Sequence, residues 1–93
     1  MRDDRYTRLF PLGQVVATPG AMEKTTDEER MAFLHRHQIG SWEETCCEDR
    51  LQNTLALCQG LSIFTVHQAE SGKIWIITEA DRSVTTILLP EEY

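Results

Sequence analysis

No apolar run in this chain approaches the roughly 20 residues that a helix needs to span a bilayer, so no membrane segment is expected. Cysteine is scarce and poorly arranged. Cys46, Cys47 and Cys58 are odd in number and two of them are adjacent, which makes no disulfide framework, and no secretory signal is read at the start. The expected compartment is therefore a reducing cytoplasm. Positive charge is also short: 9 Lys and Arg stand against 15 Asp and Glu, for a formal net charge of -6. That balance disfavours direct attraction to nucleic-acid phosphates or an anionic membrane and favours a basic protein as partner. No internal repeat, low-complexity tract or catalytic signature is present. The 93 residues suffice for one domain, with surface out of proportion to core, which favours a function carried on an outer face.

What the chain does have is concentrated in KIWIITEADRSVTTILLPEEY, residues Lys73–Tyr93. Two β-rich runs, Ile74–Thr78 and Val84–Leu89, flank the polar segment Glu79–Ser83, whose length suits a hairpin connection. Leu61–His67 reads as a third strand leading into them through the turn Gln68–Gly72. Upstream, Leu12–Thr18 reads as a short edge strand, closed by Pro19-Gly20 as a type II turn. Thr26-Asp27-Glu28-Glu29 forms a capping box for a helix that runs to about Gln38 and stops at Gly40, with Met31, Leu34 and His35 on one face. A second helix starts at one of two boxes, Ser41-Trp42-Glu43-Glu44 or Thr45-Cys46-Cys47-Glu48. It places Cys47, Leu51, Leu55 and Cys58 on a shared face and ends at Gly60.

The expected fold is α+β: a three- to four-stranded antiparallel sheet, built on a C-terminal meander and covered on one face by two short helices. Residues 1–11 are expected to form a flexible arm and residues 12–93 a single domain. The strand Lys73–Thr78 is apolar on both faces and is placed centrally, so its second face needs cover from the N-terminal segment or from a partner molecule.

The histidines and cysteines raise a zinc reading, but their spacing opposes it. His35 and His37 diverge by about 200° around a helix, and adjacent Cys46 and Cys47 point apart. Helix-lining thiols and solvent-facing imidazoles are expected instead, with no metal and no cofactor. Carboxylates gather at Asp27–Glu29, at Glu43, Glu44, Glu48 and Asp49, and at Glu91 and Glu92. Helix capping and dipole complementarity account for the first two groups individually; their sum is an acidic surface. The turn Glu79–Ser83 holds Glu79, Asp81 and Arg82 and reads either as an internally bonded loop or as a recognition tip. Trp42, beside a helix start, is either a hydrophobic staple or an exposed anchor.

Leu12–Ala21, Trp42 with Cys46, Glu48, Asp49 and Asn53, Gly60, and above all Lys73–Tyr93 resemble a small "plasmid-related" family. Its members lie on bacterial plasmids, integrated elements and phages, and are sometimes mislabelled as restriction-enzyme subunits. Cys47 and the segment Met1–Phe10 depart from its pattern. The resemblance implies no activity, cofactor or catalytic residue. It does imply a bacterial host cell and a mobile-element setting, in which small acidic proteins often inhibit host defence as anti-CRISPR or anti-restriction proteins.

Together these readings lead to an expected function. The chain is a non-enzymatic inhibitor that binds a basic, nucleic-acid-handling defence effector through Trp42, Glu43, Glu44, Glu48, Asp49, Glu79, Asp81 and Arg82. The alternative is a homodimeric regulatory module of the element, paired through the sheet face or an edge strand, with no defence-inhibiting role.

Overall fold

Caps set the boundaries of most elements. In a computed structural model that describes residues 8–93, the chain runs β1 (Gln14–Ala17), α1 (Pro19–Lys24), α2 (Asp27–Ile39), α3 (Cys47–Gln59), β2 (Ile63–Ala69), β3 (Gly72–Thr78) and β4 (Val84–Leu88), then a 3-10 turn at Pro90–Glu92. The Thr26 capping box forms as expected: Glu29 N–H donates to Thr26 Oγ1, and Glu29 Oε1 accepts from Thr26 N–H. Gly40 and Gly60 close α2 and α3 in left-handed conformation.

Three local expectations change. Pro19-Gly20 is not a type II turn but the start of α1, because Thr18 is a good cap and Pro is tolerated in a first helical turn. Thr18 Oγ1 accepts from Ala21 N–H at 3.2 Å. Neither expected box caps α3, which begins after Cys46 with no side-chain cap. Ser41 bonds Glu43 instead, and Thr45 is drawn to β2. Both helix faces are also rotated from expectation. α2 buries Phe33 and His37 and leaves Met31 72% exposed, while α3 buries Asn53 and Ala56.

The sheet order is β1-β4-β3-β2. β2, β3 and β4 form the expected antiparallel meander, with His67 opposite Ile74 and Ile76 opposite Ile87. β1 lies at the edge as expected, but parallel to β4, with Val15 beside Thr85. The helices cover the face carrying Ile63, Ile74, Ile76 and Ile87, which packs in two clusters with Ala21 and Phe33, and with Phe10, Trp42 and Ala56. On the other face Phe64, Trp75 and Tyr93 make edge-on ring contacts, and Trp75 and Ile77 are half-buried.

Most of the arm expected over residues 1–11 lies outside the described residues. At its far end Leu9 N–H donates to Gln38 C=O at 2.9 Å, and Phe10 is buried. By Leu9 and Phe10 the chain is already part of the packed domain.

Gly13 fixes how this segment enters β1. Its φ is +64°, and a Cβ there would lie 2.3 Å from the Ser83 carbonyl oxygen. Gly13→Ala is therefore expected to cost about 2–4 kcal/mol, combining left-handed strain with displacement of β1 from β4. Gly60→Ala, at φ +70° with open space around it, carries the left-handed cost alone, about 1–2 kcal/mol. Urea midpoints of the two variants separate steric from conformational cost.

Candidate functional site

The covered sheet face carries a row of buried polar side chains among its isoleucines. Period-2 alternation puts Thr65 and His67 of β2, Thr78 of β3 and Thr85 of β4 on the same side as Ile63, Ile74, Ile76 and Ile87. His37 reaches this row from α2. Its Nδ1 lies 2.6 Å from Thr65 Oγ1 and its Nε2 lies 2.8 Å from Thr78 Oγ1. Thr65 Oγ1 also meets His67 Nε2 at 2.8 Å, and Thr78 Oγ1 meets Thr85 Oγ1 at 2.7 Å.

The end of this row fixes its proton directions. Thr85 Oγ1 donates to the Leu12 carbonyl, which can only accept. Thr78 must then donate to Thr85, His37 Nε2–H to Thr78, Thr65 to the bare His37 Nδ1, and His67 Nε2–H to Thr65. Both imidazoles are neutral Nε2–H tautomers. The remaining lone pair, on His67 Nδ1, is the buried side-chain nitrogen or oxygen that lacks a partner among the described residues. Burial lowers both basicities. His37 falls to about 3, mainly by desolvation and then by His67 and Arg82. His67 falls to about 4, mainly by desolvation and then by Arg36.

His35 is exposed as expected, but the environments of the other two histidines and of the cysteines are the reverse of those expected. His37 and His67 are buried, stacked or edge-on with Phe33 and Phe10, whereas all three cysteines are exposed. Among the described residues no group of three or more His, Cys, Asp or Glu is placed to hold a metal ion. In the hydrogen-bonded row, each hydroxyl proton is committed to the next acceptor. The row joins α2, the three-stranded meander and the entry to β1 into one frame.

The residues expected to contact a partner divide sharply. Trp42 is only 7% exposed and donates its Nε1–H to the His37 carbonyl at 2.9 Å, so it is a core residue. Arg82 does not form a recognition tip either. Held at φ +63°, it donates to the carbonyls of Ala56, Leu61, Glu79 and Ala80. It thereby ties the β3–β4 turn to the end of α3, and its guanidinium lies over Phe10. Asp81 accepts from the Ser83 hydroxyl and the Ser83 N–H, which close the turn internally and hold its carboxyl below the usual range.

Glu43, Glu44, Glu48 and Glu79 are exposed and Asp49 is half-exposed. Backbone and Ser41 hydrogen bonds lower the pKa of Glu43. Glu44 makes a 3.7 Å surface ion pair with Arg36, and Asp49 accepts from the Cys46 thiol. The expected set therefore falls into two groups. One surrounds the start of α3, and the other is tied by Arg82 to its end. At 1.5 Å per residue, α3 separates them by about 20 Å.

Between the two groups lies the apolar stripe that the sequence places on one face of this helix. Leu51 is 62% and Leu55 48% exposed, with Cys47 and Cys58 in line. The stripe is real at helical spacing but points outward. The opposite side of α3 is held by Asn53, whose burial the pattern of apolar residues does not signal because its side chain is polar. Asn53 Nδ2–H donates to the Phe64 carbonyl and its Oδ1 accepts from Phe64 N–H, at 2.6 and 3.0 Å.

Comparison with protein-family models, with curated proteins and with solved structures finds no match. No helix among the described residues is long and apolar enough to cross a membrane.

Proposed function

We propose that this chain is a non-enzymatic docking protein, a mobile-element-encoded inhibitor that covers a basic surface on a nucleic-acid-handling defence complex. The observation that carries the reading is the outer face of α3. An apolar centre at Leu51 and Leu55 is framed by Glu43, Glu44 and Glu48 at one end and by the Glu79–Asp81 turn at the other. An apolar core with a charged rim is the anatomy of a protein interface, and a helix presenting anchors four residues apart suits a groove. The carboxylates favour a groove with basic walls, the kind that otherwise holds nucleic acid.

Expression in a bacterial host carrying an active CRISPR or restriction system is expected to raise the transformation efficiency of a targeted plasmid. The double variant Leu51→Asp/Leu55→Asp, and separately the triple variant Glu43→Lys/Glu44→Lys/Glu48→Lys, should each lower that rescue at least tenfold while the far-ultraviolet spectrum is unchanged. Rescue that survives both sets of changes would exclude this face.

A further inference from the structure

The two edges of the sheet are finished differently. At β2 the outward backbone groups are occupied: Asn53 bonds both the N–H and the C=O of Phe64, and Thr45 Oγ1 accepts from Val66 N–H at 2.9 Å. Among the described residues nothing of this kind is built at β1. Gln14 N–H and Thr18 N–H donate inward to the Ser83 and Ile87 carbonyls. By the alternation of a parallel ladder, the N–H and C=O groups of Val15 and Ala17 face away from β4. Beside them runs an apolar groove of about 380 Å³, lined by Val15, Ala17, Met22, Met31 and Leu34. Val15 is 42% exposed and Met22 51%.

We propose that a second copy of this chain occupies this edge, β1 pairing antiparallel with β1 of that copy about a two-fold axis at Val16. The outward set is self-complementary in that register. Val15 of each copy faces Ala17 of the other, and the two pairs exchange four backbone hydrogen bonds. Gly13 and Pro19 bound the strand, so the pairing is short and closes as a dimer. Val15 and Ala17 lie on the helix-covered side, so pairing joins the two Met22–Met31–Leu34 grooves into one apolar seam under a continuous eight-stranded sheet.

Charge in the groove does not oppose a like partner despite a net charge of -6, and the nearby Glu92 carboxylate is occupied by the Thr18 hydroxyl and the Gly20 N–H. The charged residues lining the groove are Asp27 and Arg30, which are bonded to each other. The carboxylates Glu43, Glu44 and Glu48 lie with Thr45 toward the β2 edge, about 15 Å across the sheet at three strand spacings. The dimer leaves the outer face of α3 uncovered, so it is independent of the docking surface proposed above.

Analytical ultracentrifugation in reducing buffer, which keeps the exposed thiols from cross-linking, tests the pairing between about 1 and 200 µM. The mass is expected to rise with concentration from 10.7 kDa toward twice that value. Val15→Pro removes an outward N–H without touching the bonds of Gln14 to β4, and Met31→Lys charges the seam. Each should weaken dimerisation at least tenfold with an unchanged far-ultraviolet spectrum. A monomer at every concentration overturns the proposal. So does a dimer that survives both variants, or one that only Leu51→Asp/Leu55→Asp dissociates.

Discussion

Acidification from pH 7 to pH 5 is expected to remove roughly 3–4 kcal/mol of stability from this fold, well before its carboxylates titrate. The effect follows from where His37 and His67 sit. In the unfolded chain both bind a proton near pH 6.5, whereas in the folded chain they stay neutral down to about 3 and about 4. Between those limits the unfolded state holds up to two more protons, so stability falls as pH drops, by as much as about 2.7 kcal/mol per pH unit. Carboxyls held low by hydrogen bonds, such as those of Glu29 and Glu92, act in the same direction but only below about pH 4.5. Urea midpoints at pH 7, 6 and 5 isolate the histidines. His67→Phe, which keeps an aromatic ring against Phe33, should halve the slope. A midpoint unchanged over this range would mean that the rings are not held neutral.

Asn53→Leu should be the most damaging single exchange on α3, at about 2–5 kcal/mol. The two side chains are similar in size, so the cost comes from two backbone groups of Phe64 left without partners. Thr45→Val, which frees Val66 N–H and gives up a long 3.5 Å bond from Thr45 Oγ1 to the Val66 carbonyl, should cost about 1–2 kcal/mol. Loss of the Asn53 clamp also exposes a second strand edge, so Asn53→Leu should aggregate on partial unfolding where wild type does not. Denaturation midpoints with hydrogen exchange at the Phe64 amide read both effects. A cost below that of Thr45→Val would show that the clamp does not hold the edge.

The parts of the fold legible in the sequence are those specified by neighbours in the chain. Thr26 and Glu29 fix the start of α2, Gly40 and Gly60 stop two helices, and the alternating β-rich runs define the meander. The faces of α2 and α3 were not legible from a division into apolar and polar residues. His37 and Asn53 are buried because each finds partners across the fold, on Thr65 and Thr78 or on the backbone of Phe64. Leu51 and Leu55, which look like core, face outward. A usable signal was present in strand parity: Thr65, His67, Thr78 and Thr85 share the side of Ile74 and Ile76, which marks that side as mixed.

The parallel pairing of β1 depends on contacts some seventy residues apart and leaves no local mark. The candidate site was legible only in part. The carboxylates of residues 43–48 are exposed as a surface feature requires, whereas Trp42 and Arg82, the residue types that most suggest recognition, hold the core and the β3–β4 turn.

The central claim is that the histidine–threonine row is a neutral frame, and the proposal of a function on the outer faces rests on it. Long-range proton–nitrogen correlation spectra of the imidazoles, recorded from pH 8 to pH 5, test it directly. His37 and His67 are expected to show the Nε2–H tautomer throughout, with no titration. A ring that titrates between pH 6 and 7, or that carries its proton on Nδ1, would contradict the claim.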